Sequence, residues 1–274
     1  MSYALLENSR IYYQVTNYRD DAPWIVFLNG IMSSTSSWLA YQRFFMTKGY
    51  NIVCHNYRNQ FKSSHSEVIT FDNHVDDLHQ LLESLHIRDP HIIGVSYGGI
   101  IGLKYAIKYQ KEITSLSVIA TTHLITNSLK NTVKAWYDFA CFEDPKLFLE
   151  GVFPFIYHPQ FLEENPTLFE DALKSMKGLD KSFYKGQTVL YNNLLKLKDF
   201  SEQLNEIQRP TLVITASDDI VTPHELGLAI HKRIKSSELL SIPNAAHGVL
   251  IEKEAVAKTI LLGFLEKLRS DKDV

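Results

Sequence analysis

The chain has 274 residues, of which 45% are hydrophobic and 22% charged, a composition typical of a globular protein with one large domain or two small ones. Its 28 lysines and arginines nearly balance 31 aspartates and glutamates, so a dedicated nucleic-acid binder is disfavoured. Residues 24–28, the longest apolar run near a strand pattern, are far short of the ~20 residues of a membrane span, and no signal-peptide pattern precedes them. We therefore expect a soluble, cytoplasmic protein without membrane partners, and we expect Cys54 and Cys141 to be free, buried thiols.

Apolar runs alternate with helix-length segments along most of the chain. A loosely alternating stretch predicts a hairpin at residues 4–7 and 10–15. Further strands, expected to be buried on both faces, are predicted at residues 24–28, 52–54, 91–95, 116–119, 211–215 and 239–242. Helices are predicted at residues 38–47, 71–85, 97–109 and 223–234. This order predicts an α/β fold, a mostly parallel central sheet covered by helices.

Residues 122–208 interrupt the alternation, because they contain no buried strand pattern and are rich in aromatic residues and amphipathic helix. We predict that they form a helical cap inserted between two strands of a core made of residues 1–121 and 209–274. Most of the aromatic side chains are expected to form the cap's own core. A few are expected to line a pocket, and the candidate substrate contacts are Asn29, Trp136 and Phe139.

The peptide Gly94-Val95-Ser96-Tyr97-Gly98-Gly99 follows a predicted strand and opens a predicted helix. This is the context of the G-x-S-x-G nucleophile elbow, in which glycines two residues before and after the serine allow close backbone packing around a tight turn. The helix N-terminus favours developing negative charge. The dinucleotide-binding pattern G-x-G-x-x-G is absent, since Ser96 stands at its second glycine. Ser96 is therefore the candidate nucleophile, against the alternative of a glycine-rich turn without chemistry.

A serine nucleophile needs a base, and in this architecture the acid and then the histidine follow the serine along the chain. Asp218 and Asp219 compete for the role of the acid after a late strand, and Asp219 is preferred because it stands four residues before a proline. Among the later histidines, His247 follows the last predicted strand, whereas His224 and His231 fall in a helix pattern. The predicted triad is the elbow serine with Asp219 and His247.

Acyl transfer also needs N–H donors for the oxyanion that forms. One is expected from Tyr97, the residue after the nucleophile, and the other from the loop Asn29-Gly30-Ile31-Met32, where Ile31 is the candidate. No cysteine and histidine cluster has the spacing of a zinc site, so neither a metal nor an organic cofactor is predicted.

Together these pieces resemble the α/β-hydrolase superfamily along essentially the whole chain. The matching pieces are Leu28-Asn29-Gly30 followed by Trp38, Asn56-Tyr57-Arg58, the elbow, Asp219 with Pro223, and Ala246-His247-Gly248 leading into Ile251-Glu252. The resemblance implies a Ser-Asp-His triad and a cap between two strands. It looks closest to capped esterases, enol-lactonases, carbon–carbon hydrolases and methyl ester esterases that act on acyl-carrier proteins. A serine nucleophile disfavours haloalkane dehalogenase and epoxide hydrolase chemistry.

The chain departs from the usual family pattern at two places. The family usually has His-Gly where this chain has Asn29-Gly30. It often has Asp-x-Arg-Gly-x-Gly-x-Ser where this chain has Asn56-Tyr57-Arg58-Asn59-Gln60-Phe61-Lys62-Ser63, so a loop near the site lacks both glycines.

The prediction is a serine hydrolase that cleaves a carboxylic ester, thioester or lactone of a mainly apolar acyl substrate through an acyl-enzyme. An esterase for carrier-bound acyl chains, an enol-lactonase and a carbon–carbon hydrolase stay open, as does a catalytically silent protein that only binds ligand.

Residues 174–198 carry six lysines but only one acidic residue, Asp180. Four of the lysines recur at helical spacing and are expected on one helix face: Lys174, Lys177, Lys181 and Lys185. Such a face is either merely solvated or a docking surface for an acidic partner such as an acyl-carrier protein.

Overall fold

The computed structural model describes residues 2–270 and contains one eight-stranded sheet. The strands are β1 (Ser2–Leu6), β2 (Ser9–Thr16), β3 (Trp24–Leu28), β4 (Asn51–His55), β5 (His91–Val95), β6 (Ser115–Ile119), β7 (Thr211–Ala216) and β8 (Ser237–Ile242). Their order across the sheet is β1-β2-β4-β3-β5-β6-β7-β8. β2 pairs antiparallel with β1 and β4, and all other pairs are parallel. The predicted mostly parallel sheet is confirmed.

Helices connect the strands. They are α1 (Leu39–Thr47), α2 (Phe71–Ser84), α3 (Tyr97–Tyr109), α4 (Asn127–Cys141), α5 (Pro145–Ile156), α6 (Pro159–Glu164), α7 (Leu168–Lys177), α8 (Ser182–Leu195), α9 (His224–Arg233), α10 (Val249–Glu252) and α11 (Glu254–Ser270). Short 3-10 helices lie at Thr35–Trp38, Gln110–Glu112 and Ser201–Glu206. The predicted helices outside the insertion agree with α1, α2, α3 and α9 within one residue at each end. Within residues 2–270, none of the helices combines the length and the apolarity needed to cross a membrane.

The central parallel strands are buried on both faces. Val26 and Ile92 pack in one apolar cluster with residues of α2 and α3, whereas Ile25 and Ile93 pack in a second cluster with residues of α1 and α11. Because successive strand residues point to opposite faces, both faces must be apolar, which explains the continuous apolar runs in the sequence. β8 differs from the prediction, since it is an edge strand and its Leu240 is 44% exposed.

The segment between β6 and β7 contains the five helices α4–α8. Trp136, Phe148 and Tyr191 of this insertion belong to the same buried cluster as α2 and α3. The insertion therefore packs directly on the elements around the sheet. A smaller cluster around Phe153 and Leu173 lies within the insertion itself. The division of the chain into a core and a cap domain stays a prediction.

The two cysteines are free but differ in burial. Cys54 is buried in β4, as expected, whereas Cys141 is exposed at the end of α4. The buried face of α4 includes Val133 and Ala140, and Cys141 follows Ala140 around the helix onto the solvent face.

The predicted lysine face is wrong, because a turn divides the helix that would carry it. α7 ends at Lys177, and Gly178 follows it. The Asp180 carboxylate accepts the Ser182 N–H at 2.8 Å in the turn that precedes α8. The four lysines are split between α7 (Lys174, Lys177), the turn (Lys181) and α8 (Lys185).

Two buried histidines couple the stability of the fold to pH. His55 at the end of β4 and His74 in α2 are each 1% exposed. Burial lowers the pKa of His55 to about 4. Burial, with smaller effects of Arg58 and His55, lowers the pKa of His74 to about 3. In the unfolded chain both side chains protonate near pH ~6.5, so between about pH 4 and 6.5 the unfolded state binds more protons. Stability is therefore fully present above this window and is lost as the pH falls through it.

We expect the free energy of unfolding to fall by on the order of 1–2 kcal/mol per histidine between about pH 7 and pH 5. Urea titrations at the two pH values measure this loss. His74→Gln should reduce the loss, whereas His65→Gln, at an exposed position, should leave it unchanged. If the His74→Gln variant lost as much unfolding free energy as the wild-type protein, burial of His74 would not be a source of the pH dependence.

Candidate active site

Ser96 lies in a tight turn between β5 and α3. Its backbone has φ 52° and ψ −118°, a conformation that residues with a Cβ atom rarely adopt. The Ser96 N–H donates to the Ile119 carbonyl at 2.9 Å, and the Ser96 carbonyl accepts the Thr121 hydroxyl at 2.7 Å. These hydrogen bonds hold the strained turn against the end of β6.

Close backbone packing explains the glycines around this turn. A Cβ atom at Gly98 would lie 2.4 Å from the Leu28 carbonyl oxygen, and one at Gly94 would lie 2.5 Å from the Gly98 carbonyl oxygen. No side chain fits at such distances, so both positions require glycine. The packing brings Ser96 beside the loop that follows β3.

The predicted nucleophile, acid and base form a continuous chain of hydrogen bonds. His247 Nε2 lies 2.9 Å from Ser96 Oγ, and His247 Nδ1 lies 2.8 Å from Asp219 Oδ2. The imidazole is 8% exposed and the carboxylate is wholly buried. The three side chains come from the turns after β5, β7 and β8, which meet at one edge of the sheet because these strands are parallel.

The Asp219 carboxylate is held in place by its own turn. Its Oδ1 accepts the N–H groups of Val221 and Thr222, both at 2.8 Å, and its Oδ2 accepts the Thr222 hydroxyl at 2.8 Å. Burial alone would raise the pKa of Asp219, but the neighbouring His247 and the bonds from Thr222 hold this pKa below its ordinary value. Asp218 instead is 49% exposed. Asp219 is thus the carboxylate that meets His247.

The loop that carries His247 is anchored on both sides. The Ala246 N–H donates to Glu252 Oε2 at 3.1 Å, and burial raises the pKa of this glutamate. The Gly248 N–H donates to the Ile156 carbonyl at 2.6 Å, which ties the loop to α5 of the insertion. The sequence matched Glu252 to the family pattern, but it held no signal for the contact with α5.

The other late histidines are engaged elsewhere. His224 Nδ1 lies 2.8 Å from the Thr215 hydroxyl, and His231 Nδ1 lies 2.8 Å from the Ser237 hydroxyl. Both therefore stabilise the packing of α9 on the sheet, and His247 is the histidine that reaches the elbow.

The two expected oxyanion donors flank Ser96. Within residues 2–270, neither the Ile31 N–H nor the Tyr97 N–H donates to a protein acceptor. Tyr97 is the first residue of α3, where an N–H has no intrahelical acceptor. Gly30, Ile31 and Ser96 line the same cavity. The arrangement is chemically able to bind a negatively charged oxygen next to the serine hydroxyl.

Asn29, an expected substrate contact, is wholly buried at the start of the loop after β3 and does not line the cavity. Its Nδ2 donates to the His55 carbonyl at 2.7 Å and to Gln60 Oε1 at 3.2 Å. Its Oδ1 accepts the Trp38 indole N–H at 2.8 Å. Every polar atom of the side chain is therefore bonded inside the protein. Gln60 is not among the residues predicted from the sequence, where the loss of glycines from its loop was the one available signal.

A cavity of about 490 Å³ lies over Ser96 and His247. Its wall is mainly apolar, and the inserted helices contribute Trp136, Phe148, Val152, Phe153, Met176 and Phe183. Trp136 thus lines the cavity, as expected for a substrate contact. Phe139 does not line it, because its ring packs over Gly151, where an added Cβ atom would lie 2.2 Å from the ring. Among the described residues, no group of three or more His, Cys, Asp and Glu side chains is placed to hold a metal ion.

Fold and site together define a hydrolase-type α/β architecture. The family described as alpha/beta hydrolase fold matches residues 23–254, and the chain belongs to this family. Among the relatives is RutD of Shigella flexneri serotype 5b (strain 8401), a protein named as a proposed carbamate hydrolase. It is 23% identical over 252 residues, which cover 90% of this chain and 93% of RutD.

Solved structures share the fold over nearly the whole chain. MGS-M2, an alpha/beta hydrolase enzyme from a Medee basin deep-sea metagenome library, has a TM-score of 0.90 and 28% identity and covers 97% of both chains. The enol-lactonase from Burkholderia xenovorans LB400 has a TM-score of 0.86 and 20% identity, and the match covers 97% of this chain and 100% of the lactonase. The fold expected from the sequence is confirmed.

Gly98→Ala should destabilise the protein by about 3 kcal/mol, because the new methyl group meets backbone that cannot move aside. Gly263→Ala is the matched control: Gly263 lies in α11, and a Cβ atom there would have nothing within 4 Å. The control should be neutral or stabilising by up to ~1 kcal/mol. Urea unfolding midpoints measure both effects, and equal midpoints for the two variants would contradict the packing described for the turn.

Proposed function

We propose that the protein is a serine hydrolase that cleaves a carboxylic ester with a mainly apolar acyl group through an acyl-enzyme. The observation that carries the proposal is the hydrogen-bonded chain from Ser96 through His247 to Asp219, with the serine at an apolar cavity. A hydroxyl is a weak nucleophile at neutral pH, and a neighbouring imidazole held by a carboxylate is the standard means of activating it.

In the first half of the reaction, Ser96 Oγ attacks the carbonyl carbon of the ester and its proton moves to His247 Nε2. The Asp219 carboxylate keeps the Nδ1 proton in place and stabilises the imidazolium. Its pKa lies below the ordinary value, so it carries its charge throughout the neutral range. The carbonyl oxygen becomes an oxyanion that accepts the Ile31 and Tyr97 N–H groups.

The tetrahedral intermediate then collapses. The bond from carbon to the alcohol oxygen breaks, and the alcohol leaves with the proton from His247. Water repeats the attack on the acyl-enzyme, with His247 again taking the proton. Ser96 regains its proton as the carboxylic acid leaves, so the enzyme returns to its starting state.

The cavity favours uncharged substrates. Among the described residues that line it there is no lysine or arginine, and Glu254 adds a carboxylate. A carboxylate on the acyl group would lose its hydration without gaining a cation, at a cost of several kcal/mol. Neutral esters are therefore preferred over esters and lactones whose acyl group carries a carboxylate.

A panel of p-nitrophenyl esters from acetate to dodecanoate tests the proposal. We expect kcat/KM to rise about fourfold for each methylene that is buried, until the cavity is filled, and to be low for a hemisuccinate ester. A phenyl carbamate and a neutral lactone are assayed beside the esters as two further classes of substrate. Ser96→Ala should lower turnover by about 10⁴- to 10⁶-fold and abolish labelling by a fluorophosphonate. Near-normal hydrolysis by Ser96→Ala, or a chain that neither reacts nor labels, would refute the serine hydrolase.

The acid is tested by a pair of neighbouring variants. Asp219→Asn should lower kcat by about 10³- to 10⁴-fold, because the amide no longer stabilises the imidazolium. Asp218→Asn is the matched control and should remain near the unchanged rate. The opposite ranking would move the acid to Asp218.

An acyl chain presented by an acidic carrier protein is a second proposal. The inserted helix α7 contributes Ser175 and Met176 to the cavity wall, so its lysines stand near the substrate. Lys174 pairs with Asp171 at 3.4 Å, and Lys181 pairs with Glu143 at 2.8 Å. These ion pairs offset part of the positive charge of this surface.

Lys177→Glu combined with Lys185→Glu should lower kcat/KM several-fold for a carrier-bound acyl ester and leave the free ester unchanged. The effect should weaken as salt rises, because exposed charges are screened within ~8–10 Å at 0.1–0.15 M. Parallel changes for both substrates would indicate that the lysines are only a solvated surface.

A further inference from the structure

Asn29, one departure of this sequence from the usual family pattern, contacts Gln60, which lies in the loop that holds the other departure. Asn29 Nδ2 donates to Gln60 Oε1 at 3.2 Å, and both side chains are wholly buried. They come from the loop after β3 and the loop after β4, which are neighbouring strands. The loop after β3 and the loop after β4 are therefore joined by a buried pair of amide side chains, Asn29 and Gln60.

Gln60 holds the peptide group that joins Gly30 to Ile31. Its Nε2 donates to the Gly30 carbonyl at 2.9 Å and to the Ile31 carbonyl at 3.0 Å. The Gly30 carbonyl and the Ile31 N–H belong to one planar trans peptide, in which they point in opposite directions. A hydrogen bond that fixes the carbonyl therefore also fixes the direction of the N–H.

The Gln60 amide is itself held in one orientation. Its Oε1 accepts both the Asn29 amide and the Tyr57 N–H, the latter at 3.1 Å. A flipped amide would turn its oxygen towards two carbonyl oxygens, which is unfavourable. Gln187 of α8 adds a longer bond from its Nε2 to the Ile31 carbonyl, at 3.3 Å. Asn29 and the Tyr57 N–H thus direct the Gln60 amide at the loop, and the insertion adds a second donor to the Ile31 carbonyl.

We propose that Gln60 is a positioning residue for the oxyanion hole. It directs the Ile31 N–H to the cavity side of the loop, and its bond to the Gly30 carbonyl polarises that N–H into a stronger donor. Gln60 does not touch the substrate. The inference rests on the proposed acyl-transfer function. Its effect is confined to states with charge on the carbonyl oxygen, because preorganised donors act where charge develops.

Gln60→Met tests the proposal, since methionine keeps the length of the side chain and removes the amide donor. We expect kcat for a good ester substrate to fall about 10- to 100-fold with KM within about threefold, because one oxyanion donor is worth about 10²- to 10³-fold. The affinity of a trifluoromethyl ketone, which forms a tetrahedral adduct with an oxyanion, should fall by the same factor as kcat/KM.

Asn51 supplies the matched control. It is a buried amide at the other end of β4, whose Oδ1 accepts the Tyr18 N–H at 2.7 Å and whose Nδ2 donates to the Arg19 carbonyl at 2.7 Å. Asn51→Leu breaks an equivalent set of bonds away from the site. It should lower the urea midpoint while kcat and ketone affinity stay unchanged.

An effect of Gln60→Met on kcat no larger than that of Asn51→Leu would overturn the inference, as would an unchanged ketone affinity. If Gln60→Met does not fold, Gln60→Glu is the second variant, because it keeps an acceptor for the Tyr57 N–H and replaces the amide donor by an oxygen. It should lower kcat and ketone affinity together by about 10-fold or more; no change in either would overturn the inference. Activity in Ser96→Ala would refute the proposed function instead. An inactive Ser96→Ala beside a normal Gln60→Met would refute this inference alone.

Discussion

The contact between the turn at Ser96 and the end of β3 is the constraint on which the rest of the site depends. At Gly98 only a hydrogen atom fits against the Leu28 carbonyl oxygen, which would lie 2.4 Å from a Cβ atom. This spacing sets Ser96 beside loop 29–32. The parallel order of β3, β5, β6, β7 and β8 then brings Asp219 and His247 to the same edge of the sheet.

The strained turn persists because several bonds hold its backbone. A positive φ at a serine costs about 1–3 kcal/mol, and the bonds to Ile119 and Thr121 help to offset this cost. The two candidate oxyanion peptides share one arrangement. The Ser96 carbonyl is held by Thr121 and the Gly30 carbonyl by Gln60, so each N–H is fixed through the opposite side of its own peptide.

The low polarity around the site has two opposite effects. It strengthens the interaction between the buried Asp219 carboxylate and His247, because charges interact more strongly where water is excluded. It also makes any further charge in the cavity costly unless a counter-charge is present. The inserted helices contribute to both effects, since they form much of the apolar wall and contact the site loops at Gly248 and Ile31.

The sequence by itself determined the order of strands and helices, the elbow, and the choice of Asp219 and His247 as the residues to examine. These depend on local chemistry: periodicity, glycine spacing and position after a strand. Only the tertiary structure decided which side chains reach the cavity. Asn29 and Phe139 do not line the cavity, Cys141 is exposed, the four lysines are divided among α7, the following turn and α8, and Gln60 is bonded to loop 29–32. Such contacts join residues from separate elements, and the packing of those elements fixes them, which no local pattern records.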